Sequence, residues 1–371
     1  MSYRNRLTWY ELTSPASEFA VTSGLADGTW FRSSVPRARM QQLMKRSNSR
    51  ALRDTAVWAG LALLAAAGGV YFWPTWWSAP FWVTYGVLYS SASESRRHES
   101  SHGTAFRSRT IQNVVLQVVS FCRMRDSTVE RWKHTRHHTD TSIVGRDLEI
   151  EVMRPARFVK LVCDLFGLYD VPVQFGLIVR HAFGHLSHDE AFVVPSSERA
   201  RVYRTARIWL LIYVLTAASA VVLRSWIPIL LIGGPQFYGC FLERIYSFTQ
   251  HAGMGENVLD HRLNTRTILL GPVNRFIYWN MNYHIEHHMF PMVPYYRLAE
   301  LHEELKADMP APYPSLWAAY REIIPAVMRQ LKDPTYFVKR ELPPGAAPYN
   351  PPDNGLFLEV LAVYTAMDNS V

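Results

Sequence analysis

"AVWAGLALLAAAGGVYFW", residues 56 to 73, runs for 18 positions without a charge. A helix that crosses a bilayer needs roughly 20 predominantly apolar residues, so this stretch decides the fold class. Pro74 ends the run, because proline has no amide hydrogen and its ring clashes with the preceding turn. A second apolar run follows, from Trp76 to about Ala92. Trp73, Trp76, Trp77 and Trp82 gather around the turn between the two runs, as indoles do at a membrane–water boundary. A second pair begins at Ile208: "IWLLIYVLTAASAVVL" and "WIPILLIGGPQFYGCFL", split by Arg224 and Ser225. Buried helices of a soluble protein would show one apolar face at a period near 3.6 residues; these runs are apolar all round. The expected fold is all-α and integral to the membrane, with four transmembrane helices in a 2+2 arrangement at about 54–73, 76–93, 207–223 and 226–246.

The charge distribution orients these spans. The turns inside the two pairs carry one charge between them, Arg224. The other side receives Arg37, Arg39, Lys45, Arg46, Arg50 and Arg53, together with Arg96, Arg97, Arg107 and Arg109. Lys and Arg concentrate in cytoplasmic loops, so both termini, the long central segment and the active site are expected in the cytoplasm of a multi-pass protein. The net charge of +8 is read as this loop chemistry, with no nucleic-acid partner. The start, "MSYRNRLTWYELTSP", lacks the apolar core of a cleaved signal. Cys122, Cys163 and Cys240 lie far apart with no C-x-x-C pair, which argues against a disulfide framework, a cysteine zinc site or an iron–sulfur cluster.

Three regions follow: a cytoplasmic N-terminal region, 1–53; a membrane domain, 54–340; and a Pro-rich linker with a C-terminal tail, 341–371. Arg157 to Gly184 is apolar but interrupted by Lys160, Asp164, Asp170 and Arg180, which reads as an amphipathic helix on the membrane surface.

Of the 14 histidines, eight fall in three tight groups: His98 and His102; His134, His137 and His138; and His284, His287 and His288. Residues three and four apart share a helix face, so each group aims its imidazoles at one point beside the end of an apolar run. Clustered imidazoles repel when protonated and lack partners when neutral, and a metal resolves both. Imidazole suits zinc, copper, iron and nickel, but eight ligands exceed the four of a tetrahedral zinc. A dinuclear site is the economical reading, with iron the metal that makes it useful for oxygen chemistry.

"HESSHGTAF" (98–106), "HTRHHTDT" (134–141) and "NYHIEHHMFP" (282–291) resemble the three histidine boxes of the membrane fatty acid desaturase and hydroxylase family. The resemblance runs from about Ala56 to Pro294. It implies a di-iron, O2-dependent oxidoreductase, first an acyl-lipid desaturase and in the alternative a hydroxylase acting on a lipid, hydrocarbon or small molecule. It implies two iron ions held by the eight box histidines, O2 as co-substrate, and a further ligand after the fourth span, for which His251 is the candidate and His261 the rival. No fused haem or ferredoxin-like module is evident, so electrons are expected from a ferredoxin, rubredoxin or cytochrome b5 type carrier with a NAD(P)H reductase. The substrate is expected to be a membrane lipid or other hydrophobic molecule.

Other features are read as structural or compete with this assignment. His181, His185 and His188 match no box and are taken as structural or surface-lying, and His302 as part of a solvated helix face. Asp140, Asp147, Glu99, Glu256 and Asp260 are candidate carboxylate partners for the ligands, since a ligating imidazole donates its other N–H to such a group. H-E-x-x-H at 98–102 also fits a zinc protease with Glu99 as general base, but that leaves six box histidines unexplained. Metal transport would place ligands along the spans at mid-bilayer, not beside their ends.

Overall fold

A computed structural model describes residues 7–350. Its elements are helices; among the described residues there is no strand, only two isolated bridges, Thr267–Tyr283 and Ile268–Tyr313. The helices that frame the histidines are α1 (Asn48–Tyr71), α2 (Ala79–Tyr89), α3 (Ser91–His102), α4 (Arg109–Cys122), α5 (Ser127–Thr139), α6 (Phe158–Asp164), α7 (Asp170–Ala182), α8 (Ser196–Val222), α9 (Phe241–His251) and α10 (His284–Met289).

Two of the four expected spans lie in helices long and apolar enough to cross a membrane, α1 and α8. Ser47 caps α1 by accepting from the Arg50 amide at 3.4 Å. Leu63 and Leu64 stand about 70% exposed on α1 (72% and 69%), an arrangement that water penalises and a lipid environment does not. The other two expected runs are broken. Residues 76–93 become a short turn of helix at 76–78, α2, a bend at Ser90 and the start of α3. Residues 226–246 become Ile227–Leu231, Pro235–Gly239 and the start of α9. The breaks of the second run have local causes, Pro228, Gly233, Gly234 and Pro235, since proline interrupts a helix and glycine frees the backbone.

The two broken runs meet at Gly86 and Gly239. A Cβ on Gly239 would lie 2.0 Å from the Gly86 carbonyl carbon and oxygen, so only glycine permits this crossing. Gly239→Ala is therefore expected to destabilise the protein by at least ~1–3 kcal/mol, the usual cost of overpacking, read as a lower melting temperature in detergent. An unchanged midpoint would refute the crossing.

Below this crossing, Arg123 ties the runs together. Its guanidinium reaches Glu94 Oε2 at 2.8 Å, Ser90 Oγ at 2.9 Å and Gln236 Oε1 at 2.7 Å. Each contact is charge-assisted and at least partly buried, so α3 and the Pro235–Gly239 helix are held in fixed register. The apolar core lies alongside: Trp279 stacks on Tyr295 at 3.9 Å, and the Arg96 guanidinium sits 4.9 Å over the Trp279 ring.

The segment read as one surface helix is two, α6 and α7, because Gly167 turns the chain at φ +65°. Val159, Phe166, Leu168 and Phe183 nevertheless face outward, as an interfacial helix pair requires. The described part of the N-terminal region does not stand apart: Tyr10 hydroxyl donates to Glu256 at 3.0 Å. The first part of the Pro-rich segment also packs rather than hanging free. Arg262 donates to the Ala347 and Pro348 carbonyls, each at 2.9 Å, and Tyr349 is buried. The C-terminal tail from 351 lies outside the described residues.

Candidate metal centre

Four elements bring the histidines together. α3 carries His98 and His102 one turn apart and ends where Gly103 takes φ +71°. α5 carries His134, His137 and His138; Asp126 caps it, accepting from the Thr128 and Val129 amides at 2.8 and 3.0 Å. α10 carries His284, His287 and His288, and α9 ends on His251. His98, His102, His134, His138 and His287 each place a ring nitrogen within 4.8 Å of the others. His137, His251 and His288 form a second such group. His284 joins the second through an Nε2–Nε2 contact of 3.1 Å with His288. The groups interlock: the His138 and His288 rings stack at 4.3 Å.

The rival His261 lies beside the second group without joining it, and its Nδ1 is also buried with no hydrogen-bond partner. It stacks on the Trp30 indole at 4.3 Å and 8°, with its centroid 5.2 Å from that of His288. The Trp30 indole N–H in turn donates to the Thr139 carbonyl at 3.1 Å, so residues near Trp30 cover this edge of the centre.

Outer hydrogen bonds fix the direction of the lone pairs. His251 Nδ1 donates to the Asn264 carbonyl at 2.8 Å, which leaves Nε2 unprotonated, and that atom is buried with no hydrogen-bond partner. His137 Nδ1 lies 2.9 Å from Asp147 Oδ2, and His134 Nδ1 lies 2.9 Å from Glu149 Oε2. The Thr141 hydroxyl gives its proton to the His137 carbonyl at 2.7 Å and so accepts from His288 Nδ1 at 3.2 Å. Each of these bonds places the proton on the outer nitrogen and turns Nε2 inward.

Burial acts in the same direction. It holds His98, His134, His138, His284, His287 and His288 well below the ordinary imidazole value, and takes His102 and His251 down to about 3. His137 is the exception: burial lowers it, but Asp147 and Glu149 outweigh burial and raise it to about 9. Neutral imidazoles whose Nε2 atoms converge on one another, as His98 on His287 at 2.7 Å and His134 on His102 at 2.9 Å, are what a pair of divalent cations of intermediate softness requires. The orphaned Nε2 of His251 is the plainest sign of that fit. Five imidazoles in one group also exceed the tetrahedral shell of a structural or catalytic zinc.

The five candidate carboxylate partners separate. Asp147 bonds a box histidine. Asp140 instead forms ion pairs with Arg136 and Arg146, Glu256 pairs with Tyr10 and Arg154, and Asp260 pairs with Arg262. Glu99, the neighbour of His98 in sequence, points away: its Oε1 accepts from the Thr104 hydroxyl at 2.7 Å and the Tyr295 amide at 3.2 Å. Burial pushes its carboxyl up to about 8, so near neutrality it is protonated and glutamine mimics it. Glu99→Gln is therefore expected to keep its iron content and most of its turnover; loss of iron would return Glu99 to the centre.

His302 is a correction. It is buried, not solvated, because Nδ1 binds Glu286 Oε1 at 2.5 Å, and Glu286 Oε2 accepts from Thr267 at 2.5 Å. These bonds buttress α10 from behind. His181 pairs with Glu190 at 2.9 Å while His188 is exposed; His181, His185 and His188 join neither group. Glu149, Thr141 and the Asn264 carbonyl were missed by the sequence reading. The one available signal was the short acidic run "DLEIE", 147–151, directly after the second box.

A family model described as fatty acid desaturase matches residues 74–320. An omega-3 fatty acid desaturase of the endoplasmic reticulum from Vigna radiata var. radiata is 23% identical over 298 residues, covering 74% of this chain and 76% of that protein. An acyl-lipid omega-3 desaturase (cytochrome b5) of the endoplasmic reticulum from Arabidopsis thaliana is 23% identical over 291 residues, covering 72% and 73%. The matched region takes in all three histidine boxes and both groups of converging imidazoles, and the chain belongs to the fatty acid desaturase family, a family of oxidoreductases.

Proposed function

We propose that the protein is an integral membrane, O2-dependent desaturase that introduces a C=C bond into a fatty acyl lipid. The observation that carries this reading is the convergence of nine imidazoles from four elements into two adjoining groups, within a chain of this family. His98, His102, His134, His138 and His287 would hold one iron ion, and His137, His251, His284 and His288 the other. Bound there, two iron ions supply the two-electron O2 chemistry that unactivated C–H bonds require.

The chain's own residues have separate tasks. Asp147 and Glu149 orient His137 and His134 and raise their basicity as ligands. Thr141 and the Asn264 carbonyl do the same for His288 and His251. The buried setting of α3, α5 and α10 keeps bulk water from the reacting carbons. In the proposed topology α1, α2, α8 and the broken run before α9 form a 2+2 set, with the histidines on the cytoplasmic side and the acyl chain arriving from the bilayer between the spans. Electrons come from a separate carrier of the cytochrome b5, ferredoxin or rubredoxin type with its NAD(P)H reductase. The Arabidopsis relative, an acyl-lipid omega-3 desaturase (cytochrome b5), supports the first of these.

Mass spectrometry of lipids from cells expressing the chain tests the reading. An acyl lipid lighter by two mass units is the expected result. A gain of sixteen would replace desaturation by hydroxylation, and an unchanged lipid profile beside an active iron centre would overturn the lipid substrate.

A further inference from the structure

A cavity of about 280 Å³ reaches the centre from one side, between the loop after α5, α6 and α9. Its inner end is formed by His98, His137 and His251. Toward the outside it is bounded by Glu151 and Arg157, both exposed. Its volume is many times the ~10–15 Å³ that one water needs.

The lining is mixed, with Leu148, Val152, Leu161 and Phe248 among its apolar members, and ion pairs form one wall. Glu151 pairs with Arg244 at 3.2 Å, Asp170 pairs with Arg244 at 2.8 Å and with Arg125 at 2.9 Å, and Glu94 is held by Arg97 and Arg123. An acyl chain laid along this wall would strip water from these ion pairs and give no polar contact in return. Desolvating paired charges is unfavourable, and burying polar groups without partners adds to that. The ion-paired wall therefore favours water over hydrocarbon along its length.

The proposed reaction needs such a passage. Desaturation removes one hydrogen from each of two adjacent carbons and breaks the O–O bond: R–CH2–CH2–R′ + O2 + 2 e⁻ + 2 H⁺ → R–CH=CH–R′ + 2 H2O. The two electrons come from the external carrier, while two protons must reach a buried centre and two waters must leave it each turnover. We infer that this cavity is the aqueous port of the metal centre, the route of proton delivery and water release, separate from the lipid-side path of the acyl chain. The inference rests on the desaturase reading for its stoichiometry and on the ion-paired wall for its place.

Ser247 gives a handle. It lines the cavity on α9, one turn before His251, so the two share a face. In the iron-loaded full chain in membrane fragments, Ser247→Cys is treated with a charged, bilayer-impermeant methanethiosulfonate. The unsubstituted protein, with Cys163 partly exposed and Cys122 and Cys240 buried, gives the background. The expected result is labelling at position 247 by mass spectrometry. The labelled variant keeps its iron, loses at least tenfold in kcat against the unlabelled variant with KM for acyl lipid unchanged, and has a larger solvent deuterium isotope effect. Labelling only by a lipid-soluble maleimide would overturn the port. So would a labelled variant with unaltered kcat, or one whose only change is a higher KM, which would put the acyl chain in this cavity. Labelling is read without turnover, so a chain that desaturates no lipid but is labelled at 247 fails the desaturase reading and keeps the water passage.

Discussion

His138→Ala or His287→Ala is expected to abolish turnover while the protein still inserts into the membrane. Both residues belong to the five-imidazole group, and both approach His102, with ring centroids at 4.5 and 4.8 Å. Alanine removes a ligand and leaves a gap among the converging nitrogens of the group. Mutating even an outer hydrogen-bond partner typically costs about 10–100-fold in metal affinity or activity, so removing a ligand should cost more. Asp147→Ala sets the scale: it spares every imidazole but frees His137 Nδ1, and should fall in that intermediate range. His188→Ala, on an exposed side chain far from both groups, should be silent. The measurements are iron per chain and product formed per reduced carrier. An iron-loaded, active His138→Ala protein would sink the assignment of the first group.

How much of this was legible depends on how local the signal is. The box histidines were, because i, i+3 and i+4 spacing fixes a shared helix face regardless of what packs around it. Glu149 and the Asn264 carbonyl were not: Glu149 lies on a loop and Asn264 ends a one-turn helix, His261–Asn264, too short to show a period, and both reach their histidines only through the folded chain. Glu99 and His302 were misplaced for opposite reasons. Glu99 is beside a ligand in sequence, yet on a helix successive residues point about 100° apart, which turns it toward Thr104 and Tyr295. His302 sits in "LAELHEELK", polar to the eye, but its partner Glu286 comes from α10. For the broken runs the glycines and prolines were visible in the sequence. Counting apolar residues passed over them, while the Gly86–Gly239 crossing that uses them is tertiary.

The metal-free protein is expected to lose stability steeply as pH falls below about 6.5, and iron loading to raise its melting temperature at neutral pH. His98, His134, His284, His287 and His288 are all less than one-tenth exposed, and burial holds each well below the ordinary imidazole value. Because the unfolded chain takes up protons near pH 6.5 and the folded chain does not, the unfolded state binds more protons, and stability rises with pH. Read downward, the loss begins near 6.5 and continues toward the folded values, which for His102 and His251 are about 3. At pH 5.5 each such group costs about 1.4 kcal/mol relative to high pH, so a handful together rival the whole stability of an ordinary domain. His137, Glu99 and Glu149 act with the opposite sign, since their folded values are raised to about 9, 8 and 7, but they are three against the eight lowered histidines. Bound iron occupies the same lone pairs that protons would take, so it stabilises the folded state by mass action, and its affinity weakens as protons compete. Thermal melts of the detergent-solubilised protein at pH 7.5 and 5.5, with and without a chelator, read both effects. An apoprotein whose midpoint is the same at the two values would mean that the imidazoles are already charged, paired elsewhere or open to water, and that the centre is not preformed.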